Sequence, residues 1–327
     1  MRKILTEVRG LLAPALFSAS LLSSLAWGDQ PSSIPRIGIL NPIPSSTLEE
    51  GLHEGIQRAG YVEGRTILLE WRRSTGTEEE LRSLAIDLTA AKVDLIVAIG
   101  SPAARAALQV TTVPVVFLSG DPVRAGFAAS LAKPGGNGTG VSVLTPELEP
   151  KRMELLHLLV PQARRIGELH NPSNPLASLV ATDLQTAART LGLQLEVFNA
   201  PTVRGLDAAL DALRRNPPDA LIVSTEAFFL TYKAKIAQAV RKAKIPAIFP
   251  YREYGADGAL MSYGPNLQQI GRLLAVYVDK VLRGAKPADL PIEQMSKYEL
   301  VIDLRIAREM GVQVPQQLLL RADEVIR

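Results

Sequence analysis

The chain has 327 residues, a formal net charge of +3 at pH 7 and no cysteine. The absence of cysteine excludes a disulfide framework and any thiolate metal site. No run of Lys or Arg is long enough to indicate a nucleic-acid-binding face, so we expect no nucleic-acid partner. The length favours two domains over one.

The first 28 residues have the pattern of a secretory signal peptide. An apolar stretch, too short for a membrane anchor, runs from Leu11 to Trp27 and ends in the small residues of Ala26-Trp27-Gly28. The basic residues that precede it are Arg2, Lys3 and Arg9. Cleavage is expected near Gly28/Asp29, with a second candidate site after Ala26. Because no cysteine follows to carry a lipid, we expect a periplasmic, non-lipidated protein.

From residue 36 onward, β-rich apolar runs alternate with amphipathic runs at helical spacing. The strands predicted in the first half are 36–40, 67–71, 93–99 and 113–118, and apolar stripes at 48–59 and 81–88 predict helices between them. This alternation is typical of an α/β fold in which crossover helices cover parallel sheets.

The second half repeats the first in the same order. Ile166 follows Ile37 by 129 positions (166 − 37), and Leu221 follows Leu95 by 126 (221 − 95). Pro246 stands in Ile-Pro-Ala-Ile-Phe as Pro114 stands in Val-Pro-Val-Val-Phe. The nearly constant offset favours two equivalent lobes, although all βαβ units share some of this pattern. Ligands of such sheets bind beyond the carboxyl ends of the strands, so we expect a cleft between the lobes.

Two strand ends of the first lobe carry candidate ligand contacts. Ser101 and Pro102 follow a buried strand and open a helix, whose free N–H groups would suit a carboxylate. An ordinary capped helix would use the same residues. Asp121 follows the next strand, where it could accept a hydrogen bond from a ligand ammonium or bond the backbone of its own turn.

In the second lobe the equivalent strand ends are His170-Asn171-Pro172, Ser224-Thr225-Glu226 and Tyr251-Arg252-Glu253. Amide, hydroxyl and carboxylate groups here would suit an amino-acid-like ligand, and Arg252 could hold a carboxylate through two hydrogen bonds. Glu226 and Glu253 could equally act as a general acid and base, which leaves an enzyme as an alternative.

No metal site or cofactor is expected. The histidines are widely separated in the sequence: His53, His157 and His170. The Gly-rich segment 133–140 lacks the Lys-Ser/Thr ending of a phosphate-binding loop and precedes a predicted strand, so it is interpreted as a tight turn. The usual motifs of hydrolases, zinc proteases and dinucleotide-binding enzymes are absent from the sequence.

Several segments together resemble the ABC-transporter substrate-binding proteins of the tryptophan-binding-like family. They are GSPAA, DPVRAGFAASLAKPGGNGTG, HNPSNP, GALMSYGPN, DLPIEQMSKYELVIDLRIAREMGVQVP and LLLRADEVI. The resemblance implies a type I periplasmic-binding fold, with two Rossmann-like lobes of parallel sheet joined by a three-crossing hinge. It also implies ligand contacts, at or near these residues: Asn41, Ser101, Pro102, Asp121 and Asn171, with Ser224 and Glu253 at comparable strand ends.

The chain departs from the family pattern at a few positions. Gly138 stands where a β-branched residue is usual, His170 where tyrosine is frequent, and Ser224-Thr225-Glu226 is not the commonest sequence at its place. The departures in the second lobe bear on which ligand is bound, because that lobe often sets side-chain selectivity.

We expect residues 29–145 and 265–290 to form the first lobe, and residues 146–264 and 291–327 the second. The predicted function is that of the periplasmic receptor of an ABC importer. As a monomer, it would bind a small amino-acid-like or aromatic ligand between its lobes and deliver it to a permease in the inner membrane. A secreted enzyme and a sensory ligand-binding subunit remain the alternatives.

Overall fold

The computed structural model describes residues 34–42, 46–74, 77–143 and 145–327. The predicted signal peptide, residues 1–28, lies outside the described residues. The strands are β1 (Arg36–Asn41), β2 (Leu68–Arg73), β3 (Leu95–Ile99), β4 (Val115–Ser119), β5 (Gly138–Ser142), β6 (Arg165–His170), β7 (Gln194–Asn199), β8 (Ala220–Val223), β9 (Ala247–Phe249), β10 (Met261–Gly264), β11 (Glu293–Gln294), β12 (Glu299–Asp303) and β13 (Glu324–Ile326).

The helices lie between these strands. They are α1 (Ser46–Arg58), α2 (Glu78–Ala90), α3 (Ser101–Val110), α4 (Thr145–Leu159), α5 (Ala177–Thr190), α6 (Val203–Arg215), α7 (Ala227–Thr231), α8 (Lys233–Lys242), α9 (Leu267–Leu282), α10 (Leu304–Met310) and α11 (Gln316–Leu319), with short 3-10 helices at Arg252–Asp257 and Pro287–Asp289. In the described part of the chain, no helix combines the length and apolarity needed to cross a membrane.

The described strands form two sheets. The first has the order β11-β5-β4-β3-β1-β2 and is parallel throughout. The second has the order β13-β12-β10-β9-β8-β6-β7 and is parallel except where β12 runs against β10. Every residue of β3 and β4 is buried, as expected for parallel strands covered on both faces. The predicted α/β fold with two lobes is confirmed.

The two sheets share one internal order. β1 to β5 lie in the first sheet as β6 to β10 lie in the second. The register differs from the sequence repeat by one residue, because Ile37 lies opposite Leu95 whereas Ile166 lies opposite Ala220, the residue before Leu221. The repeat in the sequence therefore corresponds to a repeat of strand topology.

The described part of the chain passes between the sheets three times: after β5, after β10 and after β11. The first two passages follow Ser142 and Gly264, and the lobe boundaries at 145/146 and 264/265 stay predictions. The third follows Gln294, since Glu293–Gln294 pairs with β5 of the first sheet, and the boundary at 290/291 also stays a prediction. The apolar residues before it give little sign of this edge strand, whose pairing is set by tertiary contact.

Helix α9 returns to the first lobe and packs closely on α1. A Cβ atom added to Gly51 would lie 2.1 Å from the Gln268 carbonyl oxygen, and one added to Gly271 would lie 2.2 Å from that of Leu48. Such distances are far inside van der Waals contact. The glycines are therefore required for the approach of the two helix backbones.

The lobes also contact each other across the cleft. The Thr231 hydroxyl of α7 donates a hydrogen bond to the carbonyl oxygen of Pro42, at 3.2 Å, just after β1. Arg124, between β4 and β5, pairs with Asp183 of α5 at 3.0 Å. The two lobes are thus closed upon one another in this structure.

Candidate functional site

A cleft lies where the carboxyl ends of the two sheets face each other. The space between its walls is about 630 Å³ when the solvent open to it is counted. The lining combines polar strand ends with apolar side chains from both lobes, among them Pro102, Leu118, Leu176 and Val180. This position agrees with the general rule that ligands of open α/β sheets bind beyond the carboxyl ends of strands.

The wall from the first lobe is the start of α3. Gly100, with φ at +94°, precedes the helix, and Ser101 and Pro102 form its first turn. The Ser101 hydroxyl accepts a hydrogen bond from the Gly120 N–H at 3.0 Å and lies 3.1 Å from the Ser119 hydroxyl. That side chain is therefore occupied in holding two strand ends together. What the helix offers the cleft is its N-terminus, where N–H groups have no partner within the helix and the dipole is positive.

Asp121 and Asn41 lie outside the cleft lining. One Asp121 oxygen accepts hydrogen bonds from the backbone N–H groups of Val123 and Arg124, at 3.1 and 3.0 Å. This is the geometry of the turn alternative. The Asn41 amide donates to Glu49 at 2.9 Å, at the start of α1.

From the second lobe, Asn171, Ser224 and Glu226 line the cleft. The Asn174 amide donates to Glu226 at 2.6 Å, and the Phe228 N–H at the start of α7 lies 3.4 Å from the other carboxylate oxygen. Burial raises the pKa of the Glu226 carboxyl, while these hydrogen bonds and the nearby His170 lower it in part. Glu226 is therefore a buried acid that an added positive charge would stabilise in its ionised form.

His170 also lines the cleft, and its ring contacts the carboxylate of Glu168. Its Nδ1 lies 2.8 Å from Glu168 Oε1, and the Ser224 hydroxyl donates to the same oxygen at 2.8 Å. Glu168 is 0 % exposed. We did not predict Glu168 as a site residue from the sequence, although it stands two positions before His170 and alternate residues of a strand share a face.

The third strand end of this lobe places its side chains differently. Tyr251 lines the cleft, whereas Arg252 forms ion pairs with Glu324 and Glu299, at 2.6 and 3.4 Å, near the surface. The Glu253 carboxylate is buried outside the cleft lining, and burial raises its pKa. Thr47 lies close enough to lower that pKa in part, but no hydrogen bond of normal length and angle reaches either carboxylate oxygen within the described ranges.

Arg152, another residue not predicted from the sequence, connects the cleft to the passages between the lobes. It is 0 % exposed on α4. Its guanidinium donates to the Tyr263 carbonyl oxygen at 2.8 Å, to Glu149 at 2.6 Å and to the Thr225 hydroxyl at 2.6 Å. Thr225 lines the cleft and Tyr263 belongs to β10. The buried guanidinium of Arg152 therefore connects the cleft lining to the strand from which the chain passes back to the first lobe.

Clusters of His, Asp and Glu suited to a metal ion do not occur among residues 34–42, 46–74, 77–143 and 145–327.

Sequence comparison identifies the family. The profile of the family described as ABC transporter substrate binding protein matches residues 37–326. The chain belongs to this family. Its members are substrate-binding proteins and not a class of enzymes, and the resemblance noted in the sequence is confirmed.

Known relatives of this family member match it along most of their length. The chain is 26% identical over 284 residues to a tyrosine-binding protein of Clostridioides difficile, covering 85% of this chain and 81% of that protein. A crystal structure from Streptococcus pneumonia of an ABC domain in complex with L-Trp matches with a TM-score of 0.82 and 27% identity, over 90% of this chain and 100% of that one. A conserved domain protein of Vibrio cholerae matches with a TM-score of 0.83 and 26% identity over the same shares.

Proposed function

We propose that this substrate-binding protein holds an amino acid with an aromatic side chain in the cleft between its lobes. The observation that carries the proposal is the pairing of opposite electrostatic features there. The positive N-terminus of α3 lines the cleft from the first lobe, and the buried Glu226 lines it from the second. The α-carboxylate and α-ammonium of a free amino acid complement these two features.

The position of the amino acid between α3 and Glu226 indicates which other residues would contact it. The proposed ligand-binding residues are Ser101, Pro102, Asn171, Ser224 and Glu226, which all line the cleft. Apolar side chains beside them would cover an aromatic ring, as ligand pockets commonly do. Two of the relatives, one tyrosine-binding and one in complex with L-Trp, support an amino acid with an aromatic ring.

The family and the N-terminal sequence support a proposal for the wider role of the chain. We infer that the processed protein is a periplasmic, non-lipidated monomer that delivers its ligand to an ABC permease in the inner membrane. The enzyme alternative requires Glu226 and Glu253 at one site, but Glu253 lies outside the cleft lining, so no described contact favours it.

Calorimetric titration and thermal melting with a panel of free amino acids test the proposal. A ligand at a hundredfold excess over its dissociation constant should stabilise the folded protein by about 2.7 kcal/mol. L-tyrosine has two matched controls: tyramine lacks the carboxylate, and hydroxyphenylpropionate lacks the ammonium. Both should bind at least about tenfold more weakly than the amino acid.

Two outcomes would contradict the proposal. If a folded sample binds no amino acid, the ligand assignment is wrong. If mass spectrometry recovers the ligand chemically altered, the protein is an enzyme. Uptake of the labelled ligand by cells with and without the gene tests delivery to the permease separately.

A further inference from the structure

Glu168 and His170 lie beside the apolar part of the cleft. Alternate residues of a strand point to the same side of the sheet, so Ile166, Glu168 and His170 share one face of β6. Ile166 packs in the same apolar cluster as Leu176 and Val180. Leu176, Ala177 and Val180, at the start of α5, line the cleft and are called the apolar wall below. His170 therefore stands at the edge of the wall that would cover a ligand's ring.

The ring of His170 is fixed by a buried acid. Removing a carboxylate from water is costly unless hydrogen bonds compensate for it. Glu168 makes two such bonds, to His170 Nδ1 and the Ser224 hydroxyl, both at 2.8 Å and both through one oxygen. Because a carboxylate oxygen can only accept, Nδ1 must carry the proton in this contact, and this sets the tautomer and orientation of the imidazole.

The other ring nitrogen is left for the cleft. His170 lines the cleft, and no group in the described part of the chain forms a hydrogen bond with its Nε2. A ligand ring without a polar atom would displace water from Nε2 and leave this nitrogen without a hydrogen-bond partner. A ring hydroxyl avoids this loss, since it donates to a neutral imidazole and accepts from a protonated one.

We propose that the Glu168–His170 pair makes the site selective for an aromatic amino acid whose ring carries a hydroxyl group. His170 contacts that hydroxyl through Nε2, and Glu168 is a positioning residue that acts through His170. The inference rests on the proposed function and names the side-chain class within it. Sites built to bond a ligand hydroxyl discriminate strongly against the analogue that lacks it, because their own polar groups are then left unpaired.

The ratio of the dissociation constants of L-phenylalanine and L-tyrosine measures this selectivity. The two ligands differ by one oxygen atom, so the ratio is insensitive to losses that affect both. The wild-type ratio should be at least about tenfold. His170→Phe, which keeps a flat ring of similar size, should bring the ratio to about one by weakening tyrosine and sparing phenylalanine.

Further variants separate selectivity from folding. His170→Phe leaves Glu168 buried beside an apolar ring, so the double variant Glu168→Leu/His170→Phe removes that charge as well and should show the same ratio. Glu168→Gln keeps the shape of the side chain and should lower the ratio while the melting temperature stays near wild type. Glu226→Gln should weaken tyrosine and phenylalanine by equal factors and leave the ratio unchanged.

The outcomes distinguish two failures. A wild-type ratio near one, or a ratio that survives in both His170 variants, overturns the role of His170 and leaves amino-acid binding intact. If no amino acid binds to the folded wild-type protein, the proposed function fails, and this inference fails with it.

Discussion

Glu226 is the buried acid that we propose to bind the ammonium group of the ligand. Burial raises the pKa of its carboxyl in the ligand-free protein, against the opposing effects of Asn174, the backbone N–H groups of α7 and His170. Tyr251 and Tyr254, which lie nearby, are buried as well, and burial raises the pKa of each phenol. A ligand ammonium would stabilise the carboxylate and lower its pKa, so the complex should hold fewer protons than the free protein.

Binding of the amino acid should therefore weaken as pH falls through the raised pKa of Glu226. The loss should reach at most about tenfold per pH unit for one proton, and above that pKa affinity should be constant. Calorimetry in two buffers of different ionisation enthalpy should detect proton release on binding. Glu226→Gln should bind about ten- to a hundredfold more weakly at neutral pH and lose the proton release. Release that persists in this variant would assign the titration to another group.

Asp121 and Asn171 occupy similar turns in the two lobes and can be compared by mutation. Each accepts a backbone N–H two residues ahead at 3.1 Å, from Val123 and Ser173 respectively. Only Asn171 lines the cleft. Replacing either with Ala should lower the free energy of unfolding by about 1 kcal/mol or more, because Asn171 loses one turn hydrogen bond and Asp121, which also accepts from Arg124, loses two.

Ligand affinity should separate the two variants. Asp121→Ala should bind as wild type does, whereas Asn171→Ala should bind more weakly, by about three- to tenfold for one neutral hydrogen bond. Titration calorimetry beside urea unfolding measures both quantities. A large loss of affinity in Asp121→Ala with unchanged stability would restore the ligand-contact alternative for Asp121.

Among the elements, the pair α1 and α9 depends most visibly on residue size. The glycines Gly51 and Gly271 allow the two backbones to approach, and the contact lies within the first lobe. In an exposed helix, Gly→Ala is expected to stabilise by about 0.5–1 kcal/mol, so the sign of the effect reports on packing.

Gly271→Ala should lower the free energy of unfolding by about 1–3 kcal/mol, since its Cβ would overlap the Leu48 carbonyl and the helices must separate. Gly136→Ala is the control, because nothing lies within 4 Å of an added Cβ and its φ is not positive. Ligand affinity should be near wild type in both variants, as neither residue lines the cleft. If Gly271→Ala unfolds at the same urea concentration as the wild-type protein, the two helices tolerate the added methyl group.

At the scale of the whole molecule, closure of the lobes involves polar contacts that cross the cleft. The Arg124–Asp183 pair is partly exposed, so its contribution should be small and screened by salt. Because it joins residues of different lobes, its loss should disfavour the closed form that holds a ligand.

Arg124→Ala should weaken ligand binding by less than about fivefold at low salt, with the difference disappearing at high salt. Lys151→Ala is a matched control, since Lys151 pairs with Glu154 of the same helix at 2.7 Å and does not cross the cleft. Titrations at two ionic strengths measure the effect. An Arg124→Ala loss that is unchanged by salt would show that the ion pair is not its cause.

The sequence by itself determined the features that depend on local patterns. Buried apolar runs predicted the strands, and the period of apolar residues predicted the helices. The similar offsets of matching segments, such as Ile37 and Ile166, indicated two lobes. Strand ends placed Ser101, Asn171 and Glu226 at the cleft, because every carboxyl end of a parallel sheet lies at the same edge. Motifs spread along the chain also indicated the family.

Only the tertiary structure decided which strand-end side chains line the cleft. Asp121 and Ser101 follow neighbouring strands, yet the first turns back to its own backbone and only the second lines the cleft. Glu168 is buried because α4 and α5 cover its face of the sheet, and Arg152 meets partners more than seventy positions away in Thr225 and Tyr263. Burial and long-range pairing depend on how elements pack, and residue type together with local spacing does not specify that packing.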